Sequence, residues 1–257
     1  MLKLTRHDHD IHEIQLARPP VNALNLEMLQ ALRAAIDDAV RDGARGIVLS
    51  GAPGMFSAGV DVPSLIGVDR AGVRAYWHGF FSACATLARS PVPVVAAITG
   101  HSPAGGAVLS LFCDYRVMAE GPYRIGLNEV QVGLAVPESI QLALRRVVGA
   151  YRAERLLVSG TMVDAGQALA CGFVDELTGI DQVTTRALHW LGELLALPSR
   201  HAVHPPGGTR RSGRCLRRRG GLVAGCHGRR LLPSADPGHP AGAGGAAEEQ
   251  EREVRGA

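Results

Sequence analysis

The chain has 257 residues, a length that fits one large domain or one domain with an appendage. Its 46% hydrophobic, 20% charged and 4% aromatic residues predict a soluble globular protein, because no apolar run approaches the ~18 residues of a membrane span. The first residues contain no apolar core typical of a secretory signal, and the five cysteines lack CxxC spacing. We therefore expect reduced thiols and a cytoplasmic location.

Strand and helix patterns alternate over the first 200 residues. The apolar patterns predict strands over residues 10–17, 46–50, 93–99, 114–120 and 173–177. They predict helices over residues 25–42, 70–89, 107–113, 138–148 and 151–158, from residue 164, and over 181–195. Asn25 is expected to cap the first helix and Gly43 to end it. This alternation indicates an α/β fold.

The composition changes from residue 201 onward. Residues 201–257 contain twelve Gly, ten Arg and five Pro, and no aromatic residue except histidine. With five acidic residues, this segment has a net charge of 10 − 5 = +5, whereas the whole chain has +3. The sequence thus divides into a body over residues 1–200 and a basic tail over 201–257, which the composition predicts to be disordered. Nucleic-acid binding by the arginines is disfavoured, because no aromatic residues are interleaved with them.

Two glycine turns follow predicted strands and indicate a ligand site. The first is MFSAGVD over residues 55–61, and the second is HSPAGGA over residues 101–107. Strand ends that open into helices are where α/β proteins bind ligands, and glycine there allows a close approach to the backbone. If the N–H groups of Ala58 and Gly105 point to one spot, they form an oxyanion hole. Neither turn matches a phosphate-binding or dinucleotide-binding motif.

Glu129 lies alone in the apolar and glycine-rich stretch IGLNEVQVGL, residues 125–134. Most glutamates are exposed and have no special role. Apolar neighbours nevertheless favour partial desolvation, which raises a carboxyl pKa and suits it to proton transfer. Asp61, beside the first glycine turn, is interpreted as structural or ligand-positioning rather than as a chemical group.

Three other kinds of site are considered and disfavoured. A metal site through His7, His9 and His12 lacks further ligands, and exposed His/Asp clusters are usually solvated. A serine hydrolase through Ser57 or Ser102 with His101 lacks the GxSxG motif. Cys113 lies in an apolar helical segment, where packing is a more common role than nucleophilic attack. We therefore expect no metal and no cofactor.

Five motifs in unbroken order resemble the crotonase (enoyl-CoA hydratase/isomerase) superfamily. They are PPVNALNLEMLQAL, GAPGMFSAGVDVPSL, ITGHSPAGGAVLSLFCDYRVMAE, IGLNEVQVGL and GTMVDAGQALACGFVDEL. The resemblance extends from about residue 10 to residue 198, and FSAGVD, CDYR and GLNE are most similar to the Δ3,Δ2-enoyl-CoA isomerase branch.

The resemblance implies a spiral of ββα turns with two roughly perpendicular sheets, assembled as a homotrimer or a dimer of trimers. It implies an acyl-CoA thioester as substrate, with no nucleic-acid or membrane partner. By position, Ala58 and Gly105 become the oxyanion donors and Glu129 the catalytic carboxylate. The substrate-binding residues implied in the same way are Ala58, Gly59, Val60, Asp61, Val62, Gly105 and Asn128.

Val108 is the position that favours one reaction of the family over another. The resemblance implies that hydratases have a second glutamate three residues after the oxyanion glycine, and that place is Val108 here. Adding water to a double bond needs a group that positions water as well as one that moves a proton. Moving a double bond from C3 to C2 needs one proton carrier in a dry pocket. The sequence therefore predicts an isomerase of fatty-acid β-oxidation.

Two alternatives remain beside the isomerase. A hydratase or another crotonase-family enzyme is the closer one, and an inactive acyl-CoA-binding protein belongs to another class. The family normally ends in amphipathic helices that support the trimer and help to close the CoA site, and residues 201–257 do not have this pattern. One hypothesis is that this segment is read in a shifted frame of a GC-rich gene, which sequencing of the gene would test.

Overall fold

The computed structural model describes residues 1–197, and all structural statements below concern that range. Its strands form one six-stranded sheet and one four-stranded sheet. The strands are β1 (Leu2–His7), β2 (Ile11–Leu16), β3 (Gly46–Ser50), β4 (Gly54–Met55), β5 (Val94–Ile98), β6 (Gly100–Pro103), β7 (Tyr115–Ala119), β8 (Arg124–Gly126), β9 (Val163–Asp164) and β10 (Glu176–Thr178). The helices are α1 (Leu26–Arg41), α2 (Arg70–Arg89), α3 (Gly105–Leu111), α4 (Glu138–Val148), α5 (Ala150–Ser159), α6 (Ala165–Cys171) and α7 (Val183–Leu195).

The larger sheet has the order β1-β2-β3-β5-β7-β10. The hairpin β1–β2 is antiparallel, and every later neighbour in this sheet pairs in parallel. Strands β3 and β5 are buried along their whole length, which explains their continuous apolar runs GIVLS and VVAAI. Parallel neighbours need crossover connections, and helices of the chain provide them.

Helices cover both faces of this sheet, and the alternation of side chains along the strands separates two cores. Ile47 and Leu49 of β3 face the cluster that includes α1 and α2, whereas Val48 faces the cluster that includes α7. Helix α1 begins at its cap Asn25, whose side chain accepts a hydrogen bond from the Met28 N–H at 2.8 Å. The described residues thus form a layered α/β unit.

The smaller sheet has the order β4-β6-β8-β9 and consists of strands of two to four residues. Strand β6 pairs in parallel with β4 and with β8, and β8 pairs antiparallel with β9. The glycine turn before α3 follows β6, and the stretch that contains Glu129 follows β8. This pairing therefore brings together two segments that the sequence predicts to hold functional groups.

Most predicted elements are confirmed, and the α/β fold class with two sheets is as expected. Helix α2 has the predicted bounds, and the strand predicted over 173–177 lies further along, at Glu176–Thr178. Strand β1 and the strands of the smaller sheet were not predicted from the sequence. Cys84, Cys113 and Cys171 are free thiols, as expected. The predictions for the tail over residues 201–257 lie outside the described residues. Over residues 1–197, no helix combines the length and apolar character that crossing a membrane requires.

Candidate active site

The predicted role of Ala58 as an oxyanion donor is wrong, because its N–H is already used. The Ala58 N–H donates to the carbonyl oxygen of Val21 at 2.9 Å. A backbone donor engaged at this distance cannot also bind a substrate oxygen in linear geometry. The turn over residues 55–61 therefore offers a different N–H group to a ligand.

The Val60 N–H is the donor that this turn leaves free. The Gly59 carbonyl accepts from the Leu24 N–H at 2.7 Å, and the Leu24 carbonyl accepts from the Asp61 N–H at 3.1 Å. In a trans peptide the C=O and the following N–H point in opposite directions, so the Val60 N–H points away from Leu24. No residue in the described range accepts a hydrogen bond from it.

The Gly105 N–H lies beside this donor at the first residue of α3. A Cβ atom built on Gly105 would stand 3.2 Å from the Val60 nitrogen, and one built on Gly59 would stand 2.7 Å from the Gly105 nitrogen. The N–H groups in the first turn of a helix have no partner within the helix. Two glycines in direct contact thus allow two backbone donors, from Val60 and Gly105, to approach each other.

Helix α3 begins directly after a strained backbone conformation at Ala104. Ala104 has φ 44° and ψ −117°, a conformation that residues with a side chain rarely adopt. Its N–H donates to the Gly126 carbonyl at 2.8 Å, which fixes the turn to the end of β8. Strain of this kind is commonly found at functional sites.

Glu129 begins a single 3-10 turn, Glu129–Val132, three residues after the Gly126 carbonyl that fixes Ala104. Burial raises the pKa of the Glu129 carboxyl above its ordinary value, and a backbone hydrogen bond opposes this shift. Its Oε2 atom and the Oδ1 atom of Asn128 are buried without a hydrogen-bond partner in the described residues. Unpartnered buried acceptors are uncommon, and a bound ligand or water can complete them.

Asp61 is anchored rather than free to react. Its Oδ2 atom forms an ion pair with Arg18 Nη2 at 2.7 Å, and Asp61 is 8% exposed. Arg18 also donates to the Ala23 carbonyl at 3.0 Å, so the pair links the two segments that meet at Leu24. Val62, the next residue, is 58% exposed and lies outside the core. The structural role predicted for Asp61 agrees with this geometry.

Of the groups in the disfavoured serine-hydrolase alternative, Ser57 and His101 have other partners, and the Ser102 hydroxyl is buried without a hydrogen-bond partner in the described residues. The Ser57 hydroxyl donates to the Asn22 carbonyl at 2.8 Å, and His101 Nδ1 accepts from the Arg124 N–H at 3.2 Å. No hydrogen bond between a serine and His101 occurs in residues 1–197, and Cys113 is buried with a raised pKa of about 12 caused first by burial. The same range contains no cluster of three metal-ligating side chains. Val108 is 1% exposed and packs in the core.

A family model described as enoyl-CoA hydratase/isomerase matches residues 6–204. The chain belongs to this family. The mouse protein named enoyl-CoA delta isomerase 1, mitochondrial, is 39% identical over 188 residues, which are 72% of this chain. A probable enoyl-CoA hydratase of Mycobacterium avium is 36% identical over 198 residues, which are 76% of each protein. The matched region spans 65% of the mouse protein, slightly less than two thirds of its length.

The fold of the family is found in this chain as well. The crystal structure of human mitochondrial Δ3-Δ2-enoyl-CoA isomerase is similar with a TM-score of 0.83 and 30% sequence identity. The similarity covers 88% of this chain and 90% of the human chain. Both isomerases and hydratases thus occur among the named relatives, so the reaction must be inferred from the site.

Proposed function

We propose that this chain catalyses the shift of a double bond from C3 to C2 of an enoyl-CoA thioester. The observation that supports this reaction most directly is the half-buried carboxylate of Glu129, which has an unpartnered buried oxygen and a raised pKa. Glu129 follows strand β8, whose Gly126 carbonyl accepts a hydrogen bond from Ala104, the residue before the Gly105 donor. One proton carrier and one oxyanion hole are the groups that the isomerisation requires.

The proposed mechanism uses Glu129 as base and then as acid. The ionised carboxylate removes a proton from C2, and the electrons of that C–H bond move toward the thioester carbonyl. The resulting dienolate oxygen accepts hydrogen bonds from the Val60 and Gly105 N–H groups, which replace the predicted pair that included Ala58. Protonated Glu129 then donates the same proton to C4, the double bond forms between C2 and C3, and the carboxylate is regenerated.

The remaining predicted binding residues position the donors or are available to the substrate in this proposal. Gly59 permits the close approach of the two donors, and Asn128 presents an unpartnered amide oxygen next to Glu129 in sequence. Asp61 holds the turn through Arg18, and exposed Val62 is available to an acyl-CoA. The thioester is the substrate, so the mechanism needs no cofactor. Assembly as a homotrimer or hexamer and a cytoplasmic location stay predictions.

Hydration of 2-enoyl-CoA is the second candidate, and the Mycobacterium avium relative is named as a probable hydratase. Val108 disfavours it, because an apolar side chain that is 1% exposed offers no hydrogen bond to water. The alternative of an inactive acyl-CoA-binding protein would share the backbone donors but not need the carboxylate.

A spectrophotometric assay with two substrates distinguishes these candidates. We expect 3-hexenoyl-CoA to be converted to 2-hexenoyl-CoA, and 2-hexenoyl-CoA to gain no water at a comparable rate. Hydration faster than isomerisation would replace the proposal by a hydratase. Thermal stabilisation by acyl-CoA without turnover of either substrate would indicate a binding protein.

The pH dependence of kcat/KM follows from the environment of Glu129. Only the ionised carboxylate can remove the C2 proton, and burial raises its pKa above the ordinary value of 4.5. We therefore expect kcat/KM for 3-hexenoyl-CoA to fall as the pH is lowered, with an apparent pKa above 4.5. An inflection at or below 4.5 would show that the reactive base is not a desolvated carboxylate.

A further inference from the structure

Ser57 is a buried polar residue in the first glycine turn, and the mechanism above does not use it. It is 0% exposed. Its hydroxyl donates to the Asn22 carbonyl at 2.8 Å and accepts from the Gly59 N–H at 3.1 Å. Both the hydrogen and a lone pair are thus committed to the backbone, and this arrangement does not suit a nucleophile.

The backbone of Ser57 also contacts the start of α3. A Cβ atom built on Gly106 would stand 2.5 Å from the Ser57 carbonyl oxygen and 3.2 Å from the Ser57 Cβ. Gly106 directly follows Gly105, the second backbone donor. Ser57 therefore contacts the segments of both donors. Its hydroxyl binds the Gly59 N–H next to Val60, and its main chain lies against Gly106 next to Gly105.

The segment that holds Ser57 is itself fixed from the other side. Asn22 is 2% exposed and has φ 51°, and its side-chain Nδ2 donates to the Phe56 carbonyl at 3.1 Å. Asn22 thus binds the backbone of the first turn through its side chain and the Ser57 hydroxyl through its carbonyl. The hydroxyl bridges an anchored segment and the peptide that precedes the Val60 donor.

We propose that Ser57 is a positioning residue that sets the direction of the Val60 N–H in the oxyanion hole. The inference rests on the proposed function. By holding the Gly59 N–H, the hydroxyl keeps Gly59 at φ 83°, while Leu24 holds the carbonyl of the same residue. Because hydrogen bonds hold both the N–H and the carbonyl of Gly59, the Gly59–Val60 peptide keeps one orientation. A preorganised donor stabilises the dienolate without reorganisation during the reaction.

The variant Ser57→Ala tests this role by removing the bridge without adding bulk. We expect kcat for 3-hexenoyl-CoA to fall about tenfold, less than the 10²- to 10³-fold cost of losing an oxyanion donor, because the N–H is misaligned rather than absent. KM should change less than twofold, since the charge on the oxygen is largest after proton removal. The infrared carbonyl band of bound 2-hexenoyl-CoA should show a smaller shift to low frequency than in the wild type.

Ser110→Ala is the matched control, because Ser110 is also 0% exposed and its hydroxyl also bonds a backbone carbonyl, that of Ala107 at 2.7 Å. It should lower thermal stability but keep the wild-type kcat and carbonyl band. If Ser57→Ala does not fold, Ser57→Cys, with a weaker donor and acceptor, is expected to give the same changes in smaller measure.

Wild-type kcat and carbonyl band in a folded Ser57 variant would overturn the proposal. So would a loss of kcat that Ser110→Ala shows equally. Failure of the proposed function looks different, because the wild type itself would then not isomerise 3-hexenoyl-CoA, while the carbonyl band of bound 2-hexenoyl-CoA would still report the effect of Ser57.

Discussion

Glu129→Gln is expected to lower kcat for 3-hexenoyl-CoA isomerisation by about 10²- to 10⁴-fold, the range that a general acid–base group contributes. Glutamine has nearly the same shape as glutamate but cannot accept and return a proton. Acyl-CoA binding should persist, because the backbone donors are unchanged. Initial rates together with calorimetric binding of 2-hexenoyl-CoA measure both effects.

The same variant is expected to be more stable than the wild type at neutral pH. Burial raises the folded-state pKa of Glu129, so the carboxyl contributes stability that is complete below its unfolded value of about 4.5 and is lost as the pH rises through the folded value. A neutral amide does not pay this desolvation cost. The difference in Tm between variant and wild type should therefore be larger at pH 8 than at pH 4.5.

Glu120→Gln provides the control, because Glu120 is an exposed glutamate. It should leave both kcat and Tm unchanged, as is usual for surface substitutions. Retained isomerisation in Glu129→Gln would remove this carboxylate from the mechanism. A lower Tm at pH 8 would show that the charged form is stabilised in the fold.

The long elements were predictable because their patterns are strong and local. Helix α2, Arg70–Arg89, presents an apolar face over twenty residues, and strand β3, Gly46–Ser50, is a continuous apolar run. The smaller sheet was missed because β4 and β9 have two residues each, too few for any period to be visible. Strand β1 was missed since its side chains alternate mainly between exposed and half-buried positions at a sheet edge.

The site was predictable in its residue types but not in the direction of its backbone groups. Glu129 is a lone carboxylate among apolar residues, and the structure partly buries it as expected. Ala58 was assigned as a donor because it lies in the glycine turn. Which N–H of that turn is free depends on its pairing with Val21 and Leu24, more than thirty residues earlier, and no local pattern in the sequence encodes that pairing.

Gly59→Ala is expected to disrupt the site through both backbone strain and steric contact. Gly59 has φ 83°, where a side chain costs about 1–3 kcal/mol of strain. The new Cβ would also stand 2.7 Å from the Gly105 nitrogen and 3.0 Å from the Pro103 carbonyl oxygen, and such overpacking costs a further ~1–3 kcal/mol. Because separating the glycines moves both oxyanion donors, kcat/KM should fall at least about 10³-fold.

The variant Gly43→Ala separates backbone strain from steric contact as the cause of the losses in Gly59→Ala. Gly43 has φ 86°, close to the φ of 83° at Gly59, but a Cβ there would meet nothing within 4 Å. Gly43→Ala should lose only the stability that backbone strain costs, about 1–3 kcal/mol in urea unfolding, and keep the wild-type kcat/KM. If Gly59→Ala behaves like Gly43→Ala in both measurements, contact between the two glycine turns is not what holds the donors together. A larger loss of stability and activity in Gly59→Ala alone would assign the effect to that contact, because strain is common to both variants.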